Sequence, residues 1–314
     1  MPTIPVMTTG GTGARRLRRA LSRTGNGRKH ASLRVALVSA PLVLAAVLTG
    51  VVATGGLASA SRQAAGPDQL VPLYEDNAND WATACSETNG ANGGSYVIAD
   101  VDAGLGAGPA PVPAWSTVID NCGSYGKAEV LGYVWTDYGK GGAASIPAIE
   151  AEVKDWYSFY PGHIAGIFFD GAADAVPGTG ASNVSFYQTL DSYVHQNWRS
   201  NDEVVLNYGA NPASGWMFNS SNAKNADIVV IFEGSYSTTG ENPYVGGGWA
   251  PASWESQYPA DDFAALMYDT NSTATVPQPA TACSALTAQH IGYLYVGTWY
   301  TTLAPYFSTF AGDC

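Results

Sequence analysis

Basic residues are scarce in this chain and unevenly placed. Of 14 Lys and Arg, eight form the leading group Arg15, Arg16, Arg18, Arg19, Arg23, Arg28, Lys29 and Arg34, and six remain for everything after. All 26 acidic residues lie beyond Ala60, so the part from Ser61 onward carries a net charge of −20. That balance excludes nucleic acid and anionic membrane surfaces as partners, since both require a basic footprint. It leaves little with which to grip phosphate. The chain also lacks a Gly-x-Ser-x-Gly elbow, a His-Glu-x-x-His helix and a Gly-x-x-x-x-Gly-Lys phosphate loop, which removes the commonest hydrolase, metalloprotease and nucleotide signatures. Close Cys-x-x-Cys pairs are missing, and of four histidines His163, His195 and His290 read as structural while His30 falls in the leader. No metal and no cofactor is expected.

The stretch from Met1 to Ala60 contains no acid and no aromatic ring; within it an apolar run from Val35 to Val52 leads to Ala58-Ser59-Ala60. This is the layout of a cleaved signal peptide, residues 1–60, followed by a flexible lead-in over 61–68. A twin-arginine signal at Arg15-Arg16 and an uncleaved anchor are the alternatives, and the small-residue site favours cleavage. The expectation is therefore a secreted, extracellular monomer, free of the membrane after cleavage. Cys85, Cys122, Cys283 and Cys314 are then bound for an oxidising compartment and predict two disulfides.

From Leu70 onward, eight short apolar runs alternate with segments of helical or mixed pattern. The runs are Leu70–Tyr74, Ser95–Val101, Glu129–Trp135, Ile164–Asp170, Glu203–Tyr208, Asp227–Glu233, Phe263–Asp269 and Ile291–Thr298. Near-continuous hydrophobicity, as in Ile167-Phe168-Phe169, marks parallel strands covered on both faces. Helices are predicted over Val112–Tyr125, Ile146–Tyr160, Val184–Arg199 and Pro279–His290. Eight such units specify the α/β class and a single (β/α)8 TIM barrel over residues 69–314. Adjacency in that barrel pairs Cys85 with Cys122 and Cys283 with Cys314.

Reacting groups in this architecture come from the C-terminal ends of strands. Here those ends offer Asp100 and Asp102, Asp137, Asp170, Asn207, Glu233 and Asp269. Asp170 and Glu233 each terminate an apolar run, where a charge is costly unless it faces a polar site. Tyr133, Trp135, Tyr138, Tyr208, Tyr236, Tyr268, Trp299 and Tyr300 stand near the same ends, in a chain whose nine Trp and 18 Tyr all lie beyond Ala60. Paired carboxylates with aromatic rings are the equipment of glycoside hydrolysis: one acid protonates the leaving oxygen and the other attacks the sugar or activates water.

Several segments, taken in order, resemble the spherulation-specific family 4 (spherulin-4) proteins. They are Val71-Pro72-Leu73-Tyr74, Gly132-Tyr133-Val134-Trp135-Thr136-Asp137-Tyr138-Gly139, Trp156-Tyr157, Gly166-Ile167-Phe168-Phe169-Asp170, Val205-Leu206-Asn207 with Gly209, and Val230 through Tyr236. The resemblance implies a (β/α)8 barrel and endo-hydrolysis of α-1,4-linked N-acetylgalactosamine in a microbial exopolysaccharide, with Asp170 and Glu233 matching the family's acids on strands four and six. The chain departs from the family in Glu75-Asp76-Asn77 after Tyr74, in Asp100 with Asp102 at a more neutral strand-two end, and above all after the strand-four Asp, where the family commonly carries Glu and this chain holds Gly171.

The function expected is thus glycosidic, with Asp170 as nucleophile and Glu233 as acid/base of a retaining mechanism. Asp100, Asp102, Tyr133, Asp137, Tyr138, Asn207, Tyr236, Tyr268 and Asp269 are the substrate-binding candidates. The partner is an extracellular amino-sugar polysaccharide, neutral or partly deacetylated. The competing reading is a catalytically silent carbohydrate-binding protein on the same barrel.

Overall fold

A computed structural model describes residues 66–88, 94–213, 225–236, 244, 248–268 and 287–314. Eight parallel strands close on themselves in sequence order: β1 (Asp68–Pro72), β2 (Ser95–Ala99), β3 (Ala128–Trp135), β4 (Ile164–Asp170), β5 (Glu203–Asn207), β6 (Ile228–Ser235), β7 (Phe263–Tyr268) and β8 (Tyr293–Val296). Each expected strand is present, with ends moved by a residue or two. The strands are buried along nearly their whole length, because the barrel interior covers one face and the helical ring the other.

Between strands run α1 (Ala78–Glu87), α2 (Pro113–Tyr125), α3 (Ile146–Phe159) and α4 (Val184–Asn197), and α5 (Phe307–Asp313) ends the chain. Local chemistry sets their starts. The Asn77 carboxamide accepts from the Asn79 and Asp80 amides at 3.0 and 3.4 Å, while proline opens α2 and α3, where its missing N–H costs nothing. The sequence reading missed α1 and α5, the two shortest helices, and its helix over Pro279–His290 lies mostly outside the described residues. Cys85 on α1 and Cys122 on α2 are bonded to each other, beside an edge-to-face pair of Trp81 and Trp115. Cys314 is also disulfide-bonded; its expected partner, Cys283, lies outside the described residues. Among the described residues, no helix is long and apolar enough to cross a membrane.

Candidate active site

Two carboxylates occupy the mouth, spanned by one amide. Asp170 ends β4 and Asn207 ends β5, and Glu233 sits in β6 just past a register shift between Val230 and Phe232, the kind of bulge that re-aims a side chain. Asn207 Nδ2 donates to Asp170 Oδ1 at 2.8 Å and to Glu233 Oε2 at 2.6 Å. The two oxygens can therefore be no farther apart than those two bonds laid end to end. Asn207 Oδ1 accepts the Gly209 amide at 3.0 Å, which fixes the direction of the carboxamide.

Tyrosines complete the set on both sides. Tyr133 donates to Asp170 Oδ2 at 2.7 Å and Tyr300 to Glu233 Oε1 at 2.8 Å. Between them stands Tyr74, whose ring meets those of Tyr133 and Tyr300 edge-on at 5.7 and 5.6 Å. Burial and the nearby carboxylates hold the Tyr133 and Tyr300 hydroxyls protonated, so both act as donors. Burial raises the Asp170 pKa, against the lowering effect of the Tyr133, Gly171 and Asn207 donors. Burial also raises that of Glu233, and the charge of Asp170 raises it further. Both carboxyls are thus held above their ordinary range, and the repulsion between them disfavours ionising the two together.

The turn after Asp170 is tightly held. Thr136 donates through its hydroxyl to the carbonyls of Asp170 and Gly171 at 2.7 and 2.9 Å, and the Tyr138 amide donates to the Gly171 carbonyl at 2.8 Å. Gly171 has φ of +66°, and a Cβ there would come within 2.6 Å of the Trp135 indole. A glutamate at this position would need strained backbone and a displaced tryptophan. The indole of Trp135 occupies the space that a side chain at this position would enter.

The remaining candidates divide. Asp100 is buried and accepts from the backbone of Gly104 and Gly106; burial, offset by those donors, pushes its pKa to about 6. It shapes its own loop beside the pair. Asp102 is exposed on that loop. Asp137 is paired with Lys140 at 2.9 Å, and Tyr138 is exposed with its ring against Trp135 at 5.3 Å. Tyr268 packs edge-on against Trp299 and Tyr300. Tyr236 is not brought to the pair: it is buried in an outer apolar cluster with Phe232 and Met267, because alternation along β6 turns it to the opposite face from Glu233. Asp269 lies outside the described residues. Tyr74 and Tyr300 are the site residues that the candidate set omitted; both follow shortly after a strand, the signal that selected the others.

At the opposite end of the barrel, His195 on α4 places Nε2 3.3 Å from both Asp191 and Asp227. Among the described residues this is the one group of three His, Cys, Asp or Glu side chains arranged closely enough to hold an ion.

A family model, spherulation-specific family 4, matches residues 69–313. Spherulin-4 of Physarum polycephalum is 31% identical over 175 residues, which make up 55% of this chain and 46% of that protein, so the chain spans about half the length of this relative. The crystal structure of Aspergillus clavatus Sph3 in complex with GalNAc shares the fold, with a TM-score of 0.61 and 20% identity over 79% of this chain and 98% of the other. This chain belongs to spherulation-specific family 4.

Proposed function

We propose that this protein is a secreted glycoside hydrolase that cleaves an amino-sugar exopolysaccharide within the chain, with retention of configuration. The observation that carries this reading is the buried carboxylate pair spanned by a single amide. Bonds of 2.8 and 2.6 Å laid end to end keep the oxygens inside the roughly 5 to 5.5 Å of retaining enzymes, short of the roughly 6.5 to 9.5 Å that inversion needs for its water. Asp170 attacks the anomeric carbon while the Glu233 proton passes to the departing glycosidic oxygen. A water molecule, giving its proton to Glu233, then breaks the sugar–Asp170 ester and restores both acids. Tyr133 and Asn207 hold the Asp170 carboxylate in line.

The amino-sugar assignment draws on the family and on Sph3 having been crystallised with GalNAc, and the net charge of −20 beyond Ala60 suits neutral or partly deacetylated chains. The leader over 1–60 is what supports export. A silent carbohydrate-binding protein is favoured by one observation, the missing acid at Gly171. Incubating the purified protein with a panel of amino-sugar polysaccharides, with product size and anomeric configuration followed by NMR, decides between them. Shortened chains whose new ends first appear in the substrate's configuration are expected; binding without cleavage would make the silent protein correct.

A further inference from the structure

Beside the carboxylate pair, on the β3 side, a cleft of about 200 Å³ opens between the loop after β2 and the start of α3. That volume is below the roughly 300 Å³ at which pockets for drug-sized molecules begin, and it suits one sugar ring. Its walls are apolar, with Leu105, Val134 and Ile149, and its polar groups are Asp137 and Glu152. Trp135 belongs both to this cleft and to the mouth: it lines the cleft, pairs in register with Asp170, and sets its indole over Gly171. Tyr138 braces the ring edge-on from a loop in which Asp137 and Tyr138 both adopt left-handed φ, +45° and +56°. Such strain persists only where the surroundings fix it.

We propose that Trp135 over Gly171 is the platform of a second sugar subsite, and that the cleft takes the next hexosamine residue of the chain cleaved at Asp170. This rests on the glycosidase reading above. Neighbouring strands are about 4.8 Å apart, close to the length of one pyranose ring, so the residue after the one held at Asp170 arrives over Trp135. An indole matches the apolar face of a sugar. Asp137, paired with Lys140, and Glu152, which already accepts the Ala107 amide at 2.6 Å, each keep lone pairs with which to accept from hydroxyl and N–H donors. Gly171, having no Cβ, is what gives the platform its room.

The test uses hexosamine oligosaccharides of graded length, N-acetylated and deacetylated, with kcat/KM measured for the wild type, Trp135→Ala, Trp135→Phe and Glu152→Gln, and binding measured in an Asp170→Asn background. Trp135→Ala should lower kcat/KM and affinity for the longer oligomers by about tenfold more than for the shortest cleaved one, with Trp135→Phe recovering part of that difference. A greater loss in Glu152→Gln for deacetylated oligomers assigns the cleft to a free amine, and an equal loss assigns it to the acetylated sugar. A loss equal at every length, or no loss at any, in a Trp135→Ala protein with wild-type circular dichroism overturns the subsite and leaves the glycosidase standing. A wild type that neither binds nor cleaves any of the oligomers overturns the glycosidase reading itself.

Discussion

The two ends of the barrel each force a pair of carboxylates together around one nitrogen group, and they do so with different chemistry. At the mouth, Asp170 and Glu233 are buried and share the Asn207 amide. At the base, Asp191 and Asp227 share His195, with side chains 16, 37 and 24% exposed respectively. An amide cannot take up a proton, so the charge conflict at the mouth is relieved only by protonating one of the acids. The base is bridged by an imidazole and is open to water. The same repulsion therefore favours a retained proton at the mouth, where the glycosidase reading needs one, and meets a solvent-exposed clasp between α4 and the start of β6 at the base.

The strongest test of this contrast removes the acids themselves. Asp170→Asn and Glu233→Gln should each lower turnover by roughly a thousandfold or more, with circular dichroism unchanged because each change is nearly isosteric. Asn207→Ala should cost about 10- to 100-fold, since orientation is lost while both acids remain. The Asn207 donor lowers the pKa of Glu233; its removal should move the alkaline limb of the kcat/KM profile, which reports protonated Glu233, to higher pH. A limb that stays in place would mean that Glu233 is not the proton donor.

Effects on stability should be smaller and should separate the two ends. Gly171→Glu, which would return the family's acid, should lower the melting temperature and turnover together, because the left-handed backbone and the Trp135 ring leave it no place. Glu255 offers a pH test away from both ends. It is fully buried, and burial, partly offset by the Ala252 backbone, pushes its pKa up to about 7. A raised carboxyl pKa means that the folded state binds more protons than the unfolded one, so stability is full below the ordinary value near 4.5 and declines as pH rises through about 7. Thermal melts across that interval should show the decline, and Glu255→Gln should flatten it. The least effect is expected at the base: His195→Gln should lower the melting temperature by only a few degrees and leave turnover unchanged. A His195 variant with normal stability and lost activity would erase the distinction between the ends.

Much of this can be read from the order of residues alone. Continuous apolar runs persist as strands only if both faces are covered, which is why eight of them with helical spacers specify a closed parallel barrel. A carboxylate that ends such a run must face something polar, which is why Asp170 and Glu233 stand out. Tyr236 shows where that reasoning stops: proximity to a strand end does not say which face a side chain takes, and strand alternation sends it outward into an apolar cluster. The shared donor at Asn207, the hydroxyls of Tyr133 and Tyr300 and the place of Tyr74 depend on segments from β1 to β8 meeting across the mouth, and Tyr74 and Tyr300 come from opposite ends of the barrel's sequence. Gly171 is the clearest division. That a glycine follows Asp170 is plain from the chain itself; what fills the space beside it is settled only by folding, because that space is taken by whatever the neighbouring strand brings, here the indole of Trp135.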